Sequence, residues 1–132
     1  MSFANRASSM YRNYSVQTAS QPKLVVMLYD GWLSALSIAK QAIMDKKVEL
    51  AHCQLTKAQS IVQLLSGTLD MQYEISKQLE ALYDFFYRQL VQANIEKSTV
   101  IIDEQISIVK ELRDGWDEAV KQLADPTIGG VV

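Results

Sequence analysis

The stretch Thr18-Ala19-Ser20-Gln21-Pro22-Lys23-Leu24-Val25-Val26-Met27-Leu28-Tyr29-Asp30-Gly31-Trp32 decides the fold. It opens with a helix-start signal, because the hydroxyl of Ser20 can cap free backbone N–H groups and Pro22 suits the first helical turn. The apolar run from Leu24 to Tyr29 continues at helical spacing as far as Ile43. This periodicity favours a helix over a buried strand.

The predicted first helix is more apolar than packing on one core requires. Fifteen of the twenty-three residues from Pro22 to Met44 are apolar, whereas a bundle helix needs apolar residues at about three positions in seven. The surplus indicates either a helix buried on most sides or a second apolar face kept for a partner.

Apolar stripes with a spacing of three and four residues predict three more helices, at about residues 48–69, 74–94 and 98–123, after a first helix at 21–44. We place Ile75, Leu82 and Phe86 on the core stripe of the third helix. Asn94 is expected to end that helix in the left-handed conformation, and Ser98 or Thr99 to cap the fourth.

The predicted connections are short, and short connections make successive helices antiparallel. The sequence therefore predicts an all-α fold, an antiparallel up-down four-helix bundle with a mobile N-terminal arm. We expect the arm at residues 1–19, the bundle at 20–124 and a flexible C-terminal tail at 125–132.

The N-terminal arm has an unusual composition for a tail. It contains two arginines and no acidic residue, yet it also holds Phe3, Tyr11 and Tyr14. A purely disordered tail has few aromatic residues. Two interpretations stay open at this point: a tail that tucks loosely onto the bundle, or a segment that docks in an apolar groove and can leave it.

Composition limits the class of protein. A length of 132 residues indicates one domain. A net charge of −2 argues against the basic surface that nucleic-acid binding requires. Cys53 is the only cysteine, so no internal disulfide forms and a reducing compartment fits. The sequence contains no apolar run long enough to cross a bilayer and no secretory signal. We expect a cytoplasmic protein without membrane insertion.

Residues that carry chemistry are scarce. Glu49-Leu50-Ala51-His52 contains one Glu-x-x-His pair, but His52 is the only histidine and a di-metal bundle needs two such pairs. Cys53 follows His52 directly, and adjacent helical residues point about 100° apart. We therefore predict no enzymatic activity, no metal and no cofactor. A metal-holding bundle and a structural adaptor that forms a homodimer remain the alternatives.

Aromatic residues are also dense in the third helix, at Tyr83, Phe85, Phe86 and Tyr87. At helical spacing any one of them is more often a core residue than a binding residue. Together with the apolar first helix and the aromatic arm, however, they exceed what one four-helix core can use. Exposed apolar grooves of this kind usually receive another chain.

Four segments that span most of the chain carry a family resemblance: Tyr11-Arg12-Asn13-Tyr14-Ser15-Val16, the stretch from Thr18 to Gly31, Leu82-Tyr83-Asp84-Phe85-Phe86-Tyr87-Arg88-Gln89-Leu90-Val91-Gln92-Ala93-Asn94, and Leu112-Arg113-Asp114-Gly115-Trp116. On these segments the sequence resembles the bacterial flagellin export chaperone family, FliS. It departs from the family at Gln21, at Gly115 and in the connection 69–74, which lacks a common glycine pair.

The resemblance implies a cytoplasmic helical bundle that binds the disordered C-terminal segment of flagellin. Binding would prevent premature polymerisation and aid delivery to the flagellar export apparatus. The export apparatus and flagellar regulatory proteins are the further partners that it implies. For the resting protein we expect a monomer or a weak homodimer.

The resemblance also implies a set of partner-binding residues: Tyr11, Val16, Leu24, Met27, Leu28, Tyr29, Tyr83, Phe86, Tyr87 and Asn94. Tyr11 and Val16 would form a plug that the client displaces. The segments 24–31 and 83–94 would form the groove wall. A structural role is equally open for several of these residues. Asp30 and Arg88, for example, are candidates for an ion pair that fixes the register of the bundle.

Overall fold

The computed structural model describes residues 21–124, and the side chains of residues 23–122. Four helices account for this span: α1 (Gln21–Met44), α2 (Val48–Gly67), α3 (Glu74–Glu96) and α4 (Thr99–Ala124). The prediction of an all-α fold is confirmed. The predicted arm, the cap at Ser20 and the C-terminal tail lie outside the described residues.

The helices form a closed ring of neighbours. Helix α1 packs against α2 and α4, α3 packs against the same two helices, and the diagonal pairs have no close backbone contact. Two side-chain contacts mark one end of the bundle: Lys40 Nζ lies 2.8 Å from Asp103 Oδ1, and Asn94 Nδ2 lies 2.8 Å from His52 Nδ1. The architecture is the predicted up-down four-helix bundle.

The bounds of α1 agree with the prediction, but the end of α3 does not. Helix α3 continues to Glu96, and Lys97 rather than Asn94 takes the left-handed conformation, with φ of 51°. Lys97 Nζ donates to the backbone carbonyl of Asn94 at 2.5 Å, which satisfies one of the carbonyls that a helix end leaves free. Ser98 Oγ accepts a hydrogen bond from the N–H of Ile101 at 3.2 Å, as expected of a cap.

The buried apolar side chains of α2 repeat at the predicted spacing of three and four residues, at Ala51, Leu55, Ala58, Val62 and Leu65. The buried residues of α3 are shifted from the predicted stripe. Ile75 is 58% exposed, so its assignment to the core was wrong. The buried stripe of α3 consists of Ser76, Tyr83, Phe86, Leu90 and Ala93. Among residues 21–124, no helix is both long enough and apolar enough to span a membrane.

Candidate binding surfaces

Three of the expected partner-binding residues lie in the centre of the bundle. Tyr29 and Phe86 have no exposed surface and Tyr83 has 2%. The hydroxyls of Tyr29 and Tyr83 are 2.6 Å apart, which joins α1 to the diagonally opposite α3. The ring of Trp32 stacks on Tyr29 at 5.6 Å and meets the edge of Phe86 at 5.2 Å. These aromatic residues fix the positions of α1 and α3.

A buried glutamine completes this centre, and sequence reasoning missed it. Gln105 is 1% exposed, and its Oε1 accepts a hydrogen bond from Trp32 Nε1 at 2.9 Å. Its Nε2 donates to the carbonyl of Phe86 and to Gln89 Oε1, both at 3.2 Å. Because a buried polar group is costly without partners, these bonds specify where α4 lies against α1 and α3.

Burial also changes the acidity of the central tyrosine. Desolvation raises the pKa of Tyr29 above its ordinary value, and hydrogen bonds with Tyr83 and Trp116 oppose this shift. The neutral hydroxyl is therefore the form that the folded protein favours.

The other expected residues within the described span reach the surface. Met27 is 59% exposed on α1, with Leu24 and Leu28 half-buried beside it. Tyr87 and Asn94 on α3 are half-buried. The side-chain oxygen of Asn94 accepts a bond from Lys97 Nζ at 2.6 Å. Tyr11 and Val16 lie outside the described residues.

The suggested pair between Asp30 and Arg88 does not form. Asp30 Oδ1 instead accepts a bond from Arg113 Nε of α4 at 2.8 Å. Arg88 pairs with Asp84 one turn away on α3 at 2.9 Å. The prediction was wrong because α1 and α3 are diagonal in the ring, so only their inward side chains meet. For the same reason, the exposed parts of 24–31 and 83–94 lie on opposite sides of the bundle.

A concavity lies between α2 and α3. It is an open cleft of about 600 Å³, and its lining residues are Val62, Gln63, Ser66, Lys77, Glu80, Ala81, Tyr83, Asp84 and Tyr87. Val62 and Tyr83 are buried and contribute an apolar floor, while the exposed charged residues form a rim. Two of the lining residues, Tyr83 and Tyr87, belong to the expected set. The contribution of α2 was not expected.

Exposed apolar side chains occur on every helix. Those of 38% exposure or more are Met27, Ile38, Met44, Val48, Leu50, Leu64, Tyr73, Ile75, Phe85, Val91, Ile95, Val100 and Ile108. Apolar residues scattered singly are ordinary, but contiguous ones mark interaction sites. The bundle thus offers apolar contact area on more than one side.

The described residues include no group of three or more His, Cys, Asp or Glu side chains placed to hold a metal ion. Glu49, His52 and Cys53 are all exposed in the first turns of α2. The side chain of His52 contacts Asn94 of α3.

Comparison with known proteins identifies the family of this chain. The family described as "Flagellar protein FliS" matches residues 3–123. The chain is 40% identical over 111 residues to the flagellar secretion chaperone FliS of Bacillus subtilis, with 84% of each chain covered. It is 34% identical over 109 residues to the protein of that name in Escherichia coli, with 80% of each covered. The chain therefore belongs to the FliS family of flagellar proteins, whose relatives bear the name of secretion chaperones.

Proposed function

We propose that this protein is a cytoplasmic export chaperone that binds the disordered C-terminal segment of flagellin. It prevents premature polymerisation of that segment and aids its delivery to the flagellar export apparatus. The observation that carries the proposal is the α2–α3 cleft, with an apolar floor and a polar rim, on a chain whose relatives are named flagellar secretion chaperones.

The shape of the bundle favours a client that is disordered before it binds. The exposed apolar residues of α1 and the cleft between α2 and α3 face different sides of the bundle, with α2 between them, so one straight helix cannot follow both. A disordered segment can wrap around a large surface, although it loses chain entropy when it orders. Apolar burial along helix-in-groove contacts must therefore outweigh this loss.

The expected residues divide into two roles. Leu24, Met27 and Leu28 on α1, and Tyr87 on α3, have exposed area that a client can cover. Asn94 lies in the last turn of α3, beyond the residues that line the cleft. The buried residues Tyr29, Tyr83 and Phe86 keep the helices at the spacing that forms these surfaces, and Tyr83 also lines the cleft.

The arm has a regulatory part in this proposal. Tyr11 and Val16 would occupy apolar surface of the bundle until the client displaces them. Two arginines and no acidic residue in the arm suit the exposed carboxylate of Glu80 on the cleft rim. Deleting residues 1–15 should change the affinity for the client, and an unchanged affinity would exclude the plug.

The test is a calorimetric titration with a peptide of about the last forty residues of flagellin from the same organism. We expect one-to-one binding with a large negative heat-capacity change, because apolar burial produces that signature. Absence of heat, together with no comigration on a sizing column, would refute the proposal.

A matched pair of methionines on α1 tests the binding surface. Met27 is 59% exposed and Met44 is 60% exposed, but only Met27 belongs to the proposed surface. Met27→Asp should weaken flagellin binding at least tenfold, while Met44→Asp should leave it unchanged. Equal losses in both variants would show that the contact lies elsewhere.

A further inference from the structure

We infer that the outer seam between α3 and α4 binds a second protein through an amphipathic helix with basic residues at seven-residue spacing. This partner is separate from the flagellin segment, so the inference goes beyond the proposed function. The seam is defined by Ile75, Leu82 and Phe85 on α3 and by Ile101, Ile108 and Gly115 on α4.

The seam is the least closed of the four helix interfaces. Helices α3 and α4 make the sparsest backbone contact in the ring. Ile75 is 58% exposed, Phe85 is 44% exposed and Ile108 is 40% exposed. Gln105 and Gln89 lie on the same helix stripes as these apolar side chains, so the hydrogen bond between them belongs to the seam. Gln105 is buried, so this bond lies at the inner side. Further outward, the seam presents apolar side chains to solvent.

A row of carboxylates runs along the α4 side of the seam. Glu104, Glu111 and Glu118 are exposed and spaced by seven residues, so they lie on one face about 10 Å apart. Ile108 lies one turn from both Glu104 and Glu111. None of the three glutamates forms an ion pair with another described residue. Of the basic residues on α4, Arg113 pairs with Asp30 and Lys121 pairs with Asp117, while Lys110 pairs with none of the three glutamates.

Apolar residues and charges in this pattern are the two components of helix-to-helix recognition. Ile101, Ile108 and Gly115 repeat every seven residues, and the glutamates repeat beside them in the same register. In coiled coils, charged residues that flank the apolar seam select the partner and its orientation. A Cβ added to Gly115 would meet nothing within 4 Å, so a partner side chain has room there.

Charge complementarity identifies the chemistry of the occupant. Three glutamates without ion pairs favour a helix with lysine or arginine at each seventh position beside an apolar stripe. A second copy of this chain does not fit, because no helix within residues 21–124 carries two basic residues seven apart. The span from Glu104 to Glu118 requires a helix of about four turns.

The test uses a designed helical peptide of about three heptads, with a leucine stripe flanked by one lysine per heptad. A second peptide carries glutamate in place of each lysine. Both are labelled and titrated with the full chain by fluorescence anisotropy, at concentrations where the peptides do not self-associate. We expect the lysine peptide to bind at least tenfold more tightly, with an affinity that falls as salt is added. Equal binding of the two peptides would overturn the inference.

Matched variants locate the contact. Ile108→Asp should abolish binding of the lysine peptide, whereas Leu64→Asp, at a residue of similar exposure on α2, should not change it. Replacing Glu104, Glu111 and Glu118 by Gln together should weaken binding at least tenfold. Replacing Asp45, Glu49 and Asp70 by their amides changes the net charge equally and should have little effect. Equal losses in the two triple variants would refute the site.

Two further measurements test which polypeptide segment occupies the seam. Addition of the C-terminal flagellin peptide should leave the lysine peptide bound, and displacement would assign the seam to the client instead. Deletion of residues 1–19 should leave the affinity of the lysine peptide unchanged. A tenfold gain on that deletion would assign the seam to the arm and overturn the inference. The peptide comparison, the matched variants and the deletion contain no flagellin, so their outcomes do not depend on whether flagellin binds the cleft.

Discussion

The seam between α1 and α2 differs from the seam between α3 and α4 in the size of its side chains. Gly31, Ala35 and Ala42 lie along the α2 side of α1, and α2 contributes the buried Ala51 and Ala58. Small side chains let helix axes approach closely, since interaxial distance depends on the residues at the contact. The α1–α2 contact is accordingly the most extensive in the ring and the α3–α4 contact the sparsest.

Helix α3 is held mainly through the centre of the bundle rather than through its seam with α4. Tyr83 bonds to Tyr29 of α1, Phe86 packs on Trp32 of α1, and Gln105 bonds to α3 from α4. A helix held from inside keeps its outer edges available. One half of the bundle is thus a close-packed support, while the edges of α3 supply the cleft and the seam.

The largest expected effect separates two adjacent phenylalanines of α3. Phe86→Ala should lower the free energy of unfolding by about 3–5 kcal/mol, because it leaves a cavity beside Trp32. Phe85→Ala should lower it by less than about 1 kcal/mol, since Phe85 is 44% exposed. Urea denaturation of both variants measures the difference. Similar losses would mean that the outer edge of α3 is as important for stability as the centre.

Gln105→Leu should have the next largest effect. It should lower the free energy of unfolding by about 1–3 kcal/mol, because the buried N–H of Trp32 loses its acceptor. Gln89→Leu is the control: it leaves Gln105 bonded to Trp32 and to the Phe86 carbonyl. Hydrogen exchange of the amides in α3 should rise in Gln105→Leu more than in Gln89→Leu. Unchanged exchange in both would show that the glutamine does not hold α3.

Replacing a glycine by alanine at each of the two seams should give a smaller difference in stability. Gly115→Ala should stabilise α4 by about 1 kcal/mol, since alanine is the better helix former and the added Cβ meets nothing. Gly31→Ala should stabilise α1 by a smaller amount, because the added Cβ would lie 3.4 Å from Ile61 Cδ1. Thermal unfolding of the two variants compares them. A larger gain at Gly31 would contradict the close packing of α1 on α2.

The smallest expected effect is the ionisation of Tyr29, which changes the stability of the protein only at alkaline pH. Because the folded-state pKa is raised, the stability that Tyr29 contributes is fully present below the unfolded pKa of about 10 and is lost as pH rises through the folded pKa. Tyr29→Phe has no such ionisation. The stability of the native chain should therefore fall relative to this variant above about pH 10. A constant difference from neutral to strongly alkaline pH would refute the assignment.

The helix bounds were largely predictable because local signals determine them. Pro22 and the long apolar run set the start of α1, and polar residues after Met44 set its end. The end of α3 was missed because Lys97 bonds to Asn94 and continues the chain in a conformation more typical of Asn or Gly. The sequence does not show that side chain-to-backbone contact.

The site was less predictable, because it depends on which helices are neighbours. Asp30 pairs with Arg113 and not with Arg88 since α4, unlike α3, lies beside α1. Aromatic content alone did not separate Phe86 in the core from Phe85 at the surface. Gln105 offered a signal: it is a polar residue between Ile102 and Val109 on a core stripe, which indicates a hydrogen-bonded position in the interior.

The measurement that tests the central proposal most directly is the elongation rate of flagellin filaments from short seeds, with and without this protein. If the chain sequesters the C-terminal segment of flagellin, an equimolar amount should stop elongation, and Met27→Asp should restore it while Met44→Asp should not. Undiminished elongation at a molar excess of this protein over flagellin would contradict the proposed chaperone function.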